Sequence, residues 1–415
     1  MHKPGSGRWC YFFCFFLALA ANPVRVIAAE YYIEPAVTAR YEFDNNRSLR
    51  QDAESASTWR FSPFVEFGRL TPNSEVTGAA RVEVNESNRE EVDSTDVYAG
   101  LFPVYRTERS QWSLDTTFRR DTPLRTNIFE RTFFREPPLE AEVLPPDPDD
   151  IQREDPDLGL RRQKVQRNVV LVSPGWRREL SPRLDLGLEY TYLDTFYGDD
   201  AQSSGLVDSR RHLGRANLSY RFSEVDDVSV LTAFQNFKND QNREFDTYRI
   251  EFGLKHRFSE TLAAILSVGP EYTDRSVGKD DFGYSVGFGV NKKLESSQLA
   301  VVFRRGVAPS EAGEALDRNQ VDIRWFGDLS ARWSFSFLAR AFRNERGAGS
   351  ESASSERSYA QVEPRIGYRI TEDLSCELGY RFRWEDEDVP GVGSAFAHAG
   401  LFSVIYAFDR FSLSR

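Results

Sequence analysis

Outside its first thirty positions the sequence has no apolar run of about 18 residues, which excludes a helical membrane protein. Cysteine is nearly missing: Cys10 and Cys14 fall in the N-terminal segment, which leaves Cys376 alone and no intramolecular disulfide. A surplus of basic residues is also missing. Asp and Glu number 64 against 53 Lys and Arg, for a net charge of −11, so no nucleic-acid partner is expected. No stripe at i, i+3, i+4, i+7 appears after the N-terminal segment. Aromatics are not scarce. At 13% of residues they argue against disorder.

The N-terminus reads as an address. His2, Lys3 and Arg8 precede an apolar run from Trp9 to Ala21, and small residues follow at Ala28–Ala29. Residues 1–29 are therefore expected to be a secretory signal peptide. Cleavage after Ala29 is preferred, because the patterned region begins at Glu30; a site near Ala20 is the alternative.

From Glu30 onward the chain keeps a period of two. In 184–192, Leu184, Leu186, Leu188, Tyr190 and Tyr192 alternate with Asp185, Gly187, Glu189 and Thr191. In 247–258, Tyr248, Ile250, Phe252, Leu254 and Phe258 alternate with Arg249, Glu251, Gly253, Lys255 and Arg257. A strand sends alternate side chains to opposite faces, so each segment has one apolar and one polar face. As helices the same segments would scatter charge around the whole cylinder.

Eighteen strands are expected at 31–43, 58–70, 75–86, 95–106, 111–120, 164–177, 183–195, 210–222, 227–237, 246–258, 261–273, 282–293, 297–306, 319–329, 331–343, 358–370, 373–384 and 395–408. Their connections alternate. Short turns fall near 71–74, 107–110, 178–182, 223–226, 259–260, 294–296, 330 and 371–372. Longer polar loops lie at 44–57, 87–94, 121–163, 196–209, 238–245, 274–281, 307–318, 344–357 and 385–394. Short turns at one end, long loops at the other and an even strand count define a closed antiparallel transmembrane β-barrel of the outer-membrane type. The domain reading is a signal peptide at 1–29, a barrel over 30–408 and a C-terminal tail at 409–415. A soluble sandwich or propeller would pack its apolar face inward and need several domains, yet composition breaks only at 121–163. Trp112, Trp176 and Trp333 beside short turns, and Trp59 and Trp384 at loop ends, fit two interfacial girdles.

Eighteen strands imply an aqueous lumen. The polar parity is rich in arginine, and the expected lumen-lining residues are Arg215, Arg249, Glu251, Arg324, Arg340, Arg365, Arg381 and Arg383. Rings of arginine favour anionic solutes. The competing reading is that Arg–carboxylate ladders across strands brace the wall. Residues 121–163 carry seven Pro, eleven acids and six Arg. That density of Pro forbids a regular strand or helix, and the segment is either a gate folded into the lumen or an exposed loop.

No catalytic activity is expected. His212, His256 and His398 fall on the apolar parity near strand ends, without the Ser or Asp neighbours of a triad. No metal-ligand spacing or cofactor fingerprint occurs, so no metal and no cofactor is expected. The expected partners are outer-membrane lipid and the barrel assembly machinery, to which the alternating Phe402, Val404, Tyr406 and Phe408 of the last strand point.

From Tyr31 to Phe408 the chain resembles Gram-negative outer-membrane β-barrels. More narrowly it is similar to the β-barrel porin type 2 group, which includes barrels associated with exopolysaccharide export. The Glu34–Phe43 opening strand, the repeated Tyr220-Arg221-Phe222 and Tyr380-Arg381-Phe382, and the closing Leu401–Phe408 carry the resemblance. It implies an outer-membrane pore or export channel, polysaccharide cargo and polysaccharide export components as partners. The alternative is a non-conducting barrel that scaffolds a surface or polysaccharide assembly.

Overall fold

A computed structural model describes residues 29–49, 51, 53–89, 93–122, 165–198, 206–276, 278–309, 315–346, 356–387 and 393–414. The signal peptide and nearly all of the 121–163 segment lie outside these residues. Among the described residues there is no helix. The strands are β1 (Glu30–Asp44), β2 (Ala56–Leu70), β3 (Ser74–Ser87), β4 (Ser94–Arg106), β5 (Ser110–Asp121), β6 (Arg167–Ser181), β7 (Leu184–Tyr197), β8 (Ser209–Arg221) and β9 (Asp226–Asn239). They continue as β10 (Glu244–Ser259), β11 (Leu262–Arg275), β12 (Asp281–Lys293), β13 (Ser297–Pro309), β14 (Ala315–Asp328), β15 (Trp333–Arg346), β16 (Arg357–Arg369), β17 (Leu374–Glu387) and β18 (Gly393–Ala407), with a short β19 (Phe411–Ser414).

Each strand pairs antiparallel with the next in sequence, and β18 pairs with β1, so the sheet closes on itself. β19 continues the line of β18 along the first residues of β1, and the wall is an 18-stranded barrel. Closure removes both sheet edges, which is what a sheet in hydrocarbon requires. At one end the connections are as short as 182–183 and 260–261. At the other they include 45–55, 198–208 and 347–356. The expected long loop at 238–245 is instead a tight turn at 240–243, because β9 and β10 keep pairing beyond the apolar band, as far as Lys238 opposite Glu244.

The apolar parity faces outward. Phe258 is 63% exposed, Trp59 62% and Phe282 74%, and Leu, Val and Ile fill the zone between. A surface of this extent is stable only against lipid tails. Aromatic pairs mark its two borders. Trp112 meets Trp176 with ring centroids 5.8 Å apart, and Trp333 meets Tyr368 at 4.7 Å, both at the short-turn end. Tyr41 meets Trp59 at 4.8 Å near the loop end. The outward pattern His-x-Gly-x5-Tyr-x-Phe occurs twice, in His212–Phe222 and His398–Phe408. Eight steps along the strand lead from each His to its Tyr, or roughly 26 Å of strand and about 20 Å of vertical height at barrel tilt, close to the height of an apolar band. The chain is therefore a transmembrane β-barrel of the outer membrane, with short turns at one end and longer loops at the other.

The barrel seam is irregular. Ala36 pairs with Ala407, and Ile33 pairs with Phe411. Three steps along β1 thus oppose four along the C-terminal segment, which is a one-residue bulge. Pro35 sits opposite the bulge. It has no N–H to give the ladder, and its carbonyl accepts from the Phe408 N–H at 3.0 Å. Arg410 pins the bulge inside the lumen by pairing with Glu30 at 2.8 Å and Glu34 at 3.2 Å and lying 4.2 Å over the Tyr32 ring. The bulge switches parity, so Phe411 and Leu413 face lipid beside Ile33 and Tyr31. Residues 411–414 therefore belong to the wall, where the sequence reading had a tail beyond it.

Candidate functional site: the lumen

The lumen is built by the polar parity of all eighteen strands, and its two halves differ. Toward the loop end the side chains are packed. Toward the short-turn end a cavity of about 930 Å³ opens against β5–β11.

Three ionic ladders brace the packed half. In the first, Arg381 donates to Glu42 at 3.0 Å and to Glu363 at 2.6 Å, and Glu363 also holds Arg365, which reaches Glu377 at 3.8 Å. Arg383, one pleat above Arg381, pairs with Asp44. In the second, Asp322 on β14 sits between Arg304 on β13, at 3.1 Å, and Arg340 on β15. In the third, Arg249 on β10 pairs with Glu251 at 3.1 Å and with Glu271 on β11 at 3.6 Å. Antiparallel pairing places directly opposed inward residues about 5 Å apart, within guanidinium reach. Apart from Arg365 and Glu377 these groups are almost fully buried, and removing one member of such a pair typically costs about 3–5 kcal/mol because its partner is left charged and dry.

The eight residues read from the sequence therefore divide. Arg365, Arg381 and Arg383 share the first ladder wall, Arg340 belongs to the second, and Arg249 and Glu251 to the third. Arg215 stands apart on β8, 4.0 Å from Glu189. Arg324 lies inward on β14, one pleat below Asp322. The inward carboxylates outnumber those recognised in the sequence. Glu42, Asp44, Asp96, Asp121, Glu385 and Glu387 are all buried inside the loop-end half, beyond or at the limits of the expected strands.

One inward element had no counterpart in the sequence reading. After β1 the chain does not rise away from the barrel. Asn45 exchanges backbone and side-chain bonds with His398, at 3.0 and 2.7 Å, and the chain then turns into the lumen. Arg47 is buried and pairs with Glu42, and burial holds its guanidinium below the ordinary range while the Glu42 and Asp44 carboxylates oppose that shift. Arg383 donates to the carbonyls of Asn46 at 3.3 Å and Arg47 at 3.5 Å. Leu49, in a left-handed backbone conformation with φ of 46°, joins a buried cluster with Phe342, Tyr359 and Ala397. Residues 45–49 thus form a latch over the first ladder. The signal that could have found it is Leu49 itself, the one large apolar residue in an otherwise polar loop. The expected gate at 121–163 lies outside the described residues.

The open half is a vestibule. Ser113, Ser173, Ser219, Ser229 and Ser267 line it with Gly175, Gly187 and Gly253. Near its mouth the lining has four cations, Arg177, Arg221, Lys255 and Arg257, and two carboxylates, Asp185 and Asp227; deeper in stand Arg215, Asp115, Glu189 and Glu251, so the whole lining holds five cations and five carboxylates. The carboxylates pair at the rim, Asp185 with Arg177 at 3.2 Å and Asp227 with Arg257 at 3.3 Å. Glu179 stands opposite Asp185 in the same inward row, so the mouth on this wall carries four cations against three carboxylates and is net positive, while the vestibule lining as a whole is balanced.

The three histidines stand on the outer wall. His212 Nδ1 lies 2.7 Å from the Tyr190 hydroxyl, His398 Nδ1 2.6 Å from that of Tyr380, and His256 Nδ1 2.6 Å from Asp226. Among the described residues no group of three His, Cys, Asp or Glu side chains is arranged to hold a metal ion.

No protein-family model matches the chain, and no curated protein matches it. Several solved structures are similar to the chain over most of its length. The outer membrane protein OpdK of Pseudomonas aeruginosa is 10% identical over 92% of this chain and 99% of its own, with a TM-score of 0.49. OccAB4 of Acinetobacter baumannii is 10% identical over 94% of this chain and 100% of its own, also at 0.49. OccK11 (OpdR) of Pseudomonas aeruginosa is 13% identical over 91% and 96%, at 0.45.

Proposed function

We propose that the protein is an outer-membrane channel for an anionic saccharide of the exopolysaccharide class, which enters from the short-turn side and leaves past the latch. The observation that carries this reading is the asymmetry of the lumen: an open, hydroxyl-lined vestibule with a net positive mouth below a braced and latched half. An 18-stranded wall leaves room for a hydrated chain once the latch yields. Four cations against three carboxylates at the rim attract an anion, and serine hydroxyls replace the water a sugar gives up. The transport step needs no covalent chemistry, and polysaccharide export components on the periplasmic side are the proposed partners.

The packed half also favours a second reading, a sealed barrel that scaffolds a surface assembly. Conductance across planar bilayers separates the two. The channel reading expects discrete steps with anions carrying most of the current. A barrel that inserts and never conducts, whatever the voltage, leaves the scaffold.

A further inference from the structure

On the inner wall beside the serine-lined surface, strands β1–β4 carry aromatic rings where a lumen wall would ordinarily carry polar groups. We propose that this surface is a saccharide-binding shelf, a place where a neutral pyranose ring stacks; it deepens the channel reading above and rests on it for its role in transport.

The shelf is built in three inward rows near the short-turn end. Tyr32, Gly68, Thr77 and Phe102 stand side by side across β1–β4, then Glu34, Glu66, Ala79 and Gly100, then Ala36, Phe64, Arg81 and Tyr98. The glycines set the geometry. A Cβ on Gly100 would meet the Phe102 ring, with Cζ at 2.6 Å. A Cβ on Gly68 would meet the Tyr32 ring, with Cζ at 2.7 Å. Each ring therefore lies down against bare backbone rather than standing into the lumen, and a ring lying on the wall turns a π face toward the channel. The polar groups stand between the rings. Glu66 accepts from the Tyr32 hydroxyl at 2.9 Å, and the Thr77 hydroxyl lies between Tyr32 and Phe102 in the same row.

This set has a chemical match. A pyranose ring offers a face of C–H groups and an equator of hydroxyls. The C–H face suits a ring such as Phe102, and the hydroxyls suit a carboxylate that accepts and a threonine that does both. Charged-group recognition would not need Phe64 and Phe102. An apolar solute would not need Glu66 and Thr77. Two of the rings are already faced by cations, Tyr32 by Arg410 at 4.2 Å and Tyr98 by Arg81 at 4.3 Å, which leaves Phe102 and Phe64 as the stacking surfaces.

The test is titration calorimetry of the detergent-folded barrel with maltohexaose. The probe is neutral, so it reads the shelf and not the positive mouth, and binding does not require that the barrel conduct. Wild type is expected to bind, and Phe102→Ala to weaken binding about tenfold, the loss of one good aromatic contact. Gly100→Ala, which keeps the ring but lifts it from the wall, is expected to weaken binding roughly fivefold by the same arithmetic. Phe67→Ala, whose ring lies over Gly78 on the lipid face, should bind as wild type. Heat-modifiable gel mobility confirms that each variant is folded. No binding to wild type, or equal binding by wild type, Phe102→Ala and Gly100→Ala, overturns the shelf. Absence of bilayer conductance with these affinities intact would instead remove the channel reading and leave the shelf standing.

Discussion

Removal of residues 409–415 is expected to reduce the folded fraction of the barrel by about tenfold or more, because unsatisfied backbone groups in hydrocarbon each cost several kcal/mol. The deletion strips β19 from the first residues of β1. Glu30, Tyr31, Tyr32 and Ile33 lose their partners Ser414, Leu413, Ser412 and Phe411 on the seam side. It also removes Arg410, which holds Glu30 and Glu34 together inside the lumen. The seam would then be open at the short-turn end, where Phe411 and Leu413 meet the lipid border. Arg410→Ala is the milder form. It keeps β19 but leaves two neighbouring carboxylates without their common cation, and it should lower the folded fraction by a smaller amount. Comparison of unheated and boiled samples on gels, after refolding into detergent or assembly in cells, measures both. Unchanged folding of the deletion would mean that the wall closes through β18 alone.

Opening of the latch is the second large effect. Leu49→Asp replaces the apolar side chain packed against Phe342, Tyr359 and Ala397 with a strongly hydrated carboxylate, and so removes the hydrophobic contact that holds the segment inside. The segment is expected to leave the lumen and expose the first ladder. Single-channel conductance should rise roughly threefold, since a hydrated pore is limited by its narrowest section. Arg383→Ala acts on the same segment from the other side, by removing the donor to Asp44 and to the carbonyls of Asn46 and Arg47. Leu254→Asp would be a poor control, because it faces lipid; Ser229→Asp, in the open vestibule, is the suitable one and should leave the latch shut. Equal conductance in wild type and Leu49→Asp would place the constriction elsewhere.

The strands were legible in the sequence because each is a two-sided object. Lipid on one side and water on the other impose a strict alternation, and Leu184 to Tyr192 records it without interruption. The alternation fades where lipid ends. At the loop end β17 continues through Glu385 and Glu387, and β1 through Asp44, although the outward side no longer demands apolar residues; the expected strands stop short there for that reason. Two of the missed acids, Glu42 and Asp44, are the partners of Arg381 and Arg383, which the sequence did show, so a lumen that read as arginine-rich became a set of ladders. The inward set was legible as a face, but not as pairs. Pairing depends on register across strands, which no single segment encodes. The bulge opposite Pro35 and the inward turn at Leu49 were missed for a related reason. Each is a local departure whose sense comes from what lies opposite it, Phe408 to Arg410 in one case and Phe342 and Tyr359 in the other.

The sidedness of the wall can be measured residue by residue. In a Cys376→Ala background, single cysteines at 185 to 190 in β7 carry a nitroxide label, and the barrel is reconstituted in lipid vesicles. Collisions with oxygen, which concentrates in lipid, and with a water-soluble nickel chelate are then recorded by electron paramagnetic resonance. The labels that replace Leu186, Leu188 and Tyr190 should favour oxygen, and those that replace Asp185, Gly187 and Glu189 should favour nickel, with a period of two. A flat profile, or the opposite phase with the leucine positions in water, would contradict a barrel whose apolar side faces the membrane and whose charged side lines the channel.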